Sequence, residues 1–215
     1  DLDGDGDLDL VGKTFAYDYY GYYPTIQFQQ NVGTSSVPDF AAPSTDPFGA
    51  ITGLENWNLG VLSGGLAMDV ADLDGDGDLD LLFVEQYGYA YNYNPYEYGY
   101  FMSPILWVEN TGTPTAPAFG TAEINPFGLD IMMVGQPGDV GIFGFDCVDL
   151  DGDGDLDVVG AWSDFDVPYG SDEATHGIFW CENTGSATNP AFAAAAVAPF
   201  GLHDTATPGA SEGLA

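Results

Sequence analysis

The sequence predicts an all-β chain made of tandem four-stranded units, and three observations carry that expectation. An acidic stretch of nine residues, Asp72-Leu73-Asp74-Gly75-Asp76-Gly77-Asp78-Leu79-Asp80, recurs letter for letter at residues 1–9 and 149–157. Each copy runs into a short apolar segment of strand length, with a second such segment further on. No convincing amphipathic helix is visible. Self-similarity of this kind marks a repeat architecture, with units at residues 1–71, 72–148 and 149–215.

Within each unit the elements follow one order. The acidic loop leads into an apolar strand at residues 8–11, 79–84 and 156–161. A loop of variable length comes next, then a second strand at 26–29, 105–108 and 178–181. An Asn-x-Gly turn ends it (Asn31-Val32-Gly33, Asn110-Thr111-Gly112, Asn183-Thr184-Gly185), with Gly expected to supply a positive φ. Pro38-Asp39-Phe40, Pro117-Ala118-Phe119 and Pro190-Ala191-Phe192 follow, and a Pro-Phe-Gly at Pro47, Pro126 and Pro199 closes the unit. A further strand, at 66–71 and 142–148, feeds the next acidic loop.

The strand composition says how the units pack. Leu81-Leu82-Phe83-Val84 and Ile105-Leu106-Trp107-Val108 are apolar at every position, so both faces should be covered. A four-stranded blade held between two other blades, as in a β-propeller, is covered in that way. Ile26-Gln27-Phe28-Gln29 alternates instead, which predicts one wetter face on the first unit.

The acidic loop is suited to a hard cation. Carboxylates at its first, third, fifth and ninth positions can converge, Gly at the sixth permits a sharp turn, and the seventh offers its carbonyl. Without a cation such a cluster repels itself. About three calcium sites are therefore expected, drawn from Asp1, Asp3, Asp5, Asp7 and Asp9; Asp72, Asp74, Asp76, Asp78 and Asp80; and Asp149, Asp151, Asp153, Asp155 and Asp157. The opening of the loop resembles an EF-hand, but position twelve is Gly12, Phe83 or Gly160 rather than Glu. The pattern D-x-D-x-D-G-x-x-D between strands, with the W-x-E-N-T-G stretches at Trp107 and Trp180, resembles the FG-GAP/VCBS repeat. That resemblance covers nearly the whole chain. It implies calcium-loop blades of the integrin-α-like β-propeller type. The first unit departs from it, with Phe28-Gln29-Gln30-Asn31-Val32-Gly33 in place of the Trp motif.

Charge narrows the function classes. The chain of 215 residues carries 34 acidic side chains against the single cation of Lys13, a formal charge of −33. Phosphate recognition needs Lys and Arg, so nucleic acid is excluded as a partner. Anionic membranes are disfavoured too, and no apolar run is long enough to insert into a bilayer. A hydrophobic content of 45% argues for a folded chain despite the charge. Millimolar calcium is found outside cells, which predicts an extracellular or cell-surface location.

Twelve of the 13 Tyr lie in the segments between the paired strands of units one and two. They are Tyr17, Tyr19, Tyr20, Tyr22 and Tyr23, then Tyr87, Tyr89, Tyr91, Tyr93, Tyr96, Tyr98 and Tyr100. Tyr joins apolar area to a hydroxyl at low entropy cost. Three readings stay open: a long hairpin over its own blade, a contact with other surface proteins, and a glycan platform. Cys147 and Cys181 occupy positions filled by Val70 and Val108 in unit two, and the meander order puts one strand between them. They are expected as reduced, buried thiols, with a disulfide as the alternative. His176 and His203 belong to no motif, and no nucleophile–base constellation is evident.

These features predict a non-enzymatic, calcium-binding structural or adhesive repeat protein, with a calcium-dependent carbohydrate-binding propeller as the alternative. Ser211-Glu212-Gly213-Leu214-Ala215 matches Ser63-Gly64-Gly65-Leu66-Ala67, the start of a strand that feeds a loop. Three blades cannot close a ring. The expected partner is therefore the chain itself, completed head-to-tail by a neighbouring copy or by chain continuation, as a filament or a ring.

Overall fold

The computed structural model describes residues 1–18, 21–45, 67–84, 87–88, 101–102, 104–131, 140–164, 176–197 and 199–201. All regular elements among them are β-strands apart from two short 3-10 turns, Pro126–Gly128 and Pro199–Gly201.

Three antiparallel sheets are laid down in chain order. In the first, β1 (Leu10–Asp18) pairs with β2 (Gly21–Gln29), and β3 (Ser44–Thr45) joins the far edge of β2. The second has the order β4 (Met68–Ala71), β5 (Asp80–Val84), β8 (Ile105–Val108), β9 (Glu123–Ile124). Between β5 and β8 in sequence, β6 (Tyr87–Gly88) and β7 (Phe101–Met102) pair as a separate two-stranded ribbon. The third sheet has the order β10 (Val140–Val148), β11 (Asp157–Asp164), β12 (His176–Cys181), β13 (Ala196–Val197). Among the described residues no sheet closes on itself. Each four-stranded sheet draws its first strand, β4 or β10, from the end of the preceding sequence repeat, so the folding unit is offset from the repeat by one strand.

Both faces of the second sheet are covered, as its composition required. Leu81, Phe83, Leu106 and Val108 cluster with Ile26 of the first sheet. Leu82, Val84, Ile105 and Trp107 cluster with Val158, Phe179 and Cys181 of the third. Strand alternation sends neighbouring residues to opposite faces, and each set of four is at most 5% exposed. In the first sheet Ile26 and Phe28 are buried while Gln27 is exposed, the wetter face that the alternation predicted. The second and third sheets are also tied by polar contact: the Cys147 N–H donates to Asp69 Oδ2 at 2.7 Å.

In the first unit the core strands were expected at residues 8–11 and 26–29, with a long hairpin as one reading of the Tyr-rich segment between them. β1 and β2 run on through that segment in continuous register, with Tyr17 opposite Tyr22 and Ala16 opposite Tyr23. Aromatic residues favour the extended pleat, and pairing of the two halves satisfies their backbone groups. Tyr19, Tyr20 and the run from Tyr89 to Tyr100 lie outside the described residues, as do Pro47, His203 and the matching segments 63–66 and 211–215. In the third sheet Val158 stands opposite both Cys147 and Cys181, so two strand spacings, about 10 Å, separate them. A disulfide reaches about 7 Å between Cα atoms, and both thiols are free. Cys181 is buried, but Cys147 is only half-buried, less enclosed than expected.

Candidate metal centre

Each acidic loop is curled by its own carboxylates. The carboxylate of the third residue accepts the N–H of the fifth: Asp3 from Asp5 at 3.3 Å, Asp74 from Asp76 at 3.3 Å, Asp151 from Asp153 at 3.2 Å. That of the fifth accepts the N–H of the seventh in the same manner, at 3.1–3.2 Å. The first residue reaches across to the N–H of the sixth, as from Asp72 to Gly77 at 3.1 Å. These bonds hold the chain in tight Asx-type turns. The turns need left-handed backbone at the fourth and sixth positions, where Gly75 has φ +69° and Gly77 +101°. The expectation for the sixth position holds, and the fourth makes the same demand.

The curling gathers carboxylate oxygens. One oxygen from each of Asp72, Asp74 and Asp76 lies within 4.8 Å of the others. The same holds for Asp149, Asp151 and Asp153, and for Asp1, Asp3 and Asp9. Asp5 and Asp7, Asp78 and Asp80, and Asp155 and Asp157 fall outside these groupings. The seventh position was expected to offer its carbonyl. Its side chain adds something more: Oδ1 of Asp7, Asp78 and Asp155 is buried and accepts no hydrogen bond, as is Oδ1 of Asp72. Asp78 and Asp155 are only 6% and 7% exposed. A buried carboxylate oxygen without a donor is costly, and a cation in the loop would satisfy it. Burial, reinforced by Asp76, Asp74 and Asp72, pushes Asp78 up to about 6. Burial likewise raises Asp155, with Asp153 and Asp157 adding to the effect. The oxygens are hard ligands of the kind calcium takes, so the donor set fits that ion.

The ninth position has a second role that spacing alone did not reveal. Asp80, 1% exposed, accepts the N–H of Leu73 through Oδ2 at 3.3 Å and the N–H of Asn110 through Oδ1 at 2.8 Å. Asp157 does the same with Leu150 and Asn183, and Asp9 with Leu2 and Asn31. The residue thereby locks the loop to the turn that follows the second strand. Burial raises Asp80 to about 7 against the lowering effect of these N–H donors.

The Asn of that turn was read from sequence only as a turn former, yet it is a bracket. Asn110 is buried, and its Oδ1 accepts the N–H of Gly112 at 3.1 Å and of Ala118 at 2.9 Å. Asn31 and Asn183 repeat the pattern. The signal was present in the sequence as the same Asn at the same place in every unit. The positive φ expected at Gly33, Gly112 and Gly185 is absent. Glycine is required there for space: a Cβ on Gly112 would overlap the carbonyl oxygen of Ala116 and lie 2.7 Å from the Ala118 nitrogen.

The first and second loops also touch the next repeat. A Cβ on Gly4 would sit 2.6 Å from the Pro114 oxygen, and one on Gly75 would overlap the oxygen of Ala187. Elsewhere the described residues offer little chemistry; His176 is exposed on β12, and Lys13 lies on β1. No family model, curated protein or solved structure matches this chain.

Proposed function

We propose that this chain is a calcium-binding, non-enzymatic repeat protein of FG-GAP/VCBS type that serves outside the cell, or on its surface, as a structural or adhesive scaffold. The observation that carries the reading is the donorless, buried Oδ1 of Asp78 and Asp155, set in loops whose other carboxylates converge. Asp72, Asp74, Asp76 and Asp78 would hold the ion in the second loop, with the equivalent residues in the first and third. The ion's contribution is to neutralise the loop and fix its shape. Sites of the extracellular kind bind at about 10⁻⁴–10⁻³ M, so millimolar calcium stabilises each by up to about 1.4 kcal/mol through mass action.

Isothermal titration with calcium, paired with thermal melts with and without chelator, tests this. About three sites and a higher melting temperature in calcium are expected. An unchanged melt and no binding heat would overturn the assignment. The competing reading, a calcium-dependent lectin, rests on the Tyr-rich segments. A glycan array that returned saturable binding of one sugar would favour it.

A further inference from the structure

The two joints between successive sheets share a loop-to-turn contact, and the second adds a Pro-Phe-Gly turn and a Trp. The fourth residue of a loop meets a turn of the next repeat: Gly4 meets Pro114 and Thr115, and Gly75 meets Ala187 and Thr188. The leucine at the loop's second position is covered there, with Leu2 4% and Leu73 1% exposed. The Pro-Phe-Gly turn of one unit reaches the next, as the Phe127 carbonyl accepts the N–H of Phe192 at 3.0 Å. Trp107, packed on Phe127 at 4.9 Å between ring centres, is 5% exposed at this joint.

The third sheet carries the forward half of this joint exposed among the described residues. Leu150, equivalent to Leu2 and Leu73, is 39% exposed, and Ile178 is 39% exposed where Ile105 is fully buried. Trp180 and Phe200 repeat the Trp107–Phe127 pair at 4.7 Å, with Phe200 64% exposed. No described residue would lie within 4 Å of a Cβ on Gly152. The first sheet carries the matching rear half. Leu10 is 50% exposed where Leu81 and Val158 are buried, and Ser35-Ser36 occupies the turn position of Pro114-Thr115 and Ala187-Thr188.

We propose that the outer face of the third sheet docks on the outer face of the first sheet of a second copy of this chain, repeating the internal joint. The proposal deepens the scaffold reading above and rests on it. A second copy is the occupant because it bears the complement of a contact that the chain already makes twice. Gln27 and Gln29 stand where the second sheet has Leu106 and Val108, so this joint is less apolar than the internal ones and reversible. At −33 per chain, copies repel; a cation in the third loop, which lies at the joint, lowers that repulsion. The contact is heterologous, so it closes into a ring or propagates as a filament.

Sedimentation of the 215-residue chain in millimolar calcium, at up to about 100 μM protein, tests the joint. The wild type is expected to sediment above the monomer. Ile178→Lys and Leu10→Lys should each weaken association at least about tenfold. Mixed together, these two variants should form a one-to-one heterodimer, because each retains the face the other lost. A near-ultraviolet spectrum checks that each variant is folded, and Phe200→Ser replaces Ile178→Lys if that one is not. A monomeric wild type, oligomers indifferent to both substitutions, or variants that fail to complement would each overturn the joint. Calcium titration of the monomeric variants separates the two readings. Calcium binding without assembly sinks only the joint, and assembly without calcium binding sinks only the metal assignment.

Discussion

Gly75→Ala and Gly152→Ala make the same chemical change at the same loop position, in one case against the next repeat and in the other with no described residue nearby. Both glycines are left-handed, at φ +69° and +83°, so a Cβ costs each about 1–2 kcal/mol in backbone strain. At Gly75 the new methyl also overlaps the Ala187 oxygen and comes within 3.1 Å of Thr188 Cγ2. Backbone cannot swing aside as a side-chain tip can, and such overpacking adds about 1–3 kcal/mol. The expected losses are therefore about 2–5 kcal/mol for Gly75→Ala and about 1–2 for Gly152→Ala. A domain of this size loses about 2–4 °C of melting temperature per kcal/mol. Melts in saturating calcium, with Leu10→Lys in the background to hold the chain monomeric, read the difference. Gly77→Ala is the control, with φ +101° and no neighbour within 4 Å, and should resemble Gly152→Ala. If Gly75→Ala melts with the other two, the second loop is not seated on the third repeat.

Three further outcomes are expected. Asp78→Asn keeps the shape but removes a charge whose Oδ1 lacks a donor; it should raise the melting temperature in chelator and lower calcium affinity at least about tenfold, and a loss of stability in chelator would contradict the site. In calcium-free buffer, Asp80 and Asp78, held up at about 7 and about 6, keep protons in the folded state that the unfolded chain has already released. Metal-free stability should therefore fall as pH rises from about 4 to about 7, and saturating calcium should reverse the slope; urea midpoints that rise with pH in calcium-free buffer would refute this. Asn110→Ala leaves the N–H groups of Gly112 and Ala118 without their acceptor and should cost about 2–4 kcal/mol by urea denaturation, a loss under about 1 kcal/mol counting against the bracket.

What could be read from the sequence followed from covalent pattern and burial. The all-apolar run Ile105–Val108 is a strand with the expected bounds, buried on both faces. Alternation at Ile26-Gln27-Phe28-Gln29 gave the exposed side of the first sheet correctly. What escaped reading was long-range. Asp80 was read as a ligand from its spacing alone; that it also holds Leu73 and Asn110, thirty residues on, is a role that nothing local announces. Gly112 was assigned a dihedral role because turns usually need one, whereas its constraint is the Ala116 carbonyl folded back over it. The length of β1 and β2 was missed because periodicity separates core strands from loops. It has no purchase on a Tyr-rich ribbon whose pairing makes the strand.

The loops and the joints between sheets cannot be treated as separate features. In the first two loops the residue after the leading Asp is a leucine buried at a joint, and that leucine's own N–H is held by the ninth Asp. The ninth Asp also holds the Asn turn of its own repeat, and that turn in turn seats the loop of the repeat before. A continuous series of contacts therefore runs from Gly4 through Pro114 and Thr115 to Asn110 and Asp80. From Leu73 and Gly75 it passes through Ala187 and Thr188 to Asn183 and Asp157. Carboxylate repulsion within a metal-free loop acts on the segment that carries the leucine, so it loosens the neighbouring joint as well as the loop. The apolar clusters on the two faces of the second sheet oppose that strain, and a cation would remove its source. This is a physical reason for the loops to be verbatim. A changed loop residue would alter a candidate ligand, a hydrogen bond or an inter-repeat contact.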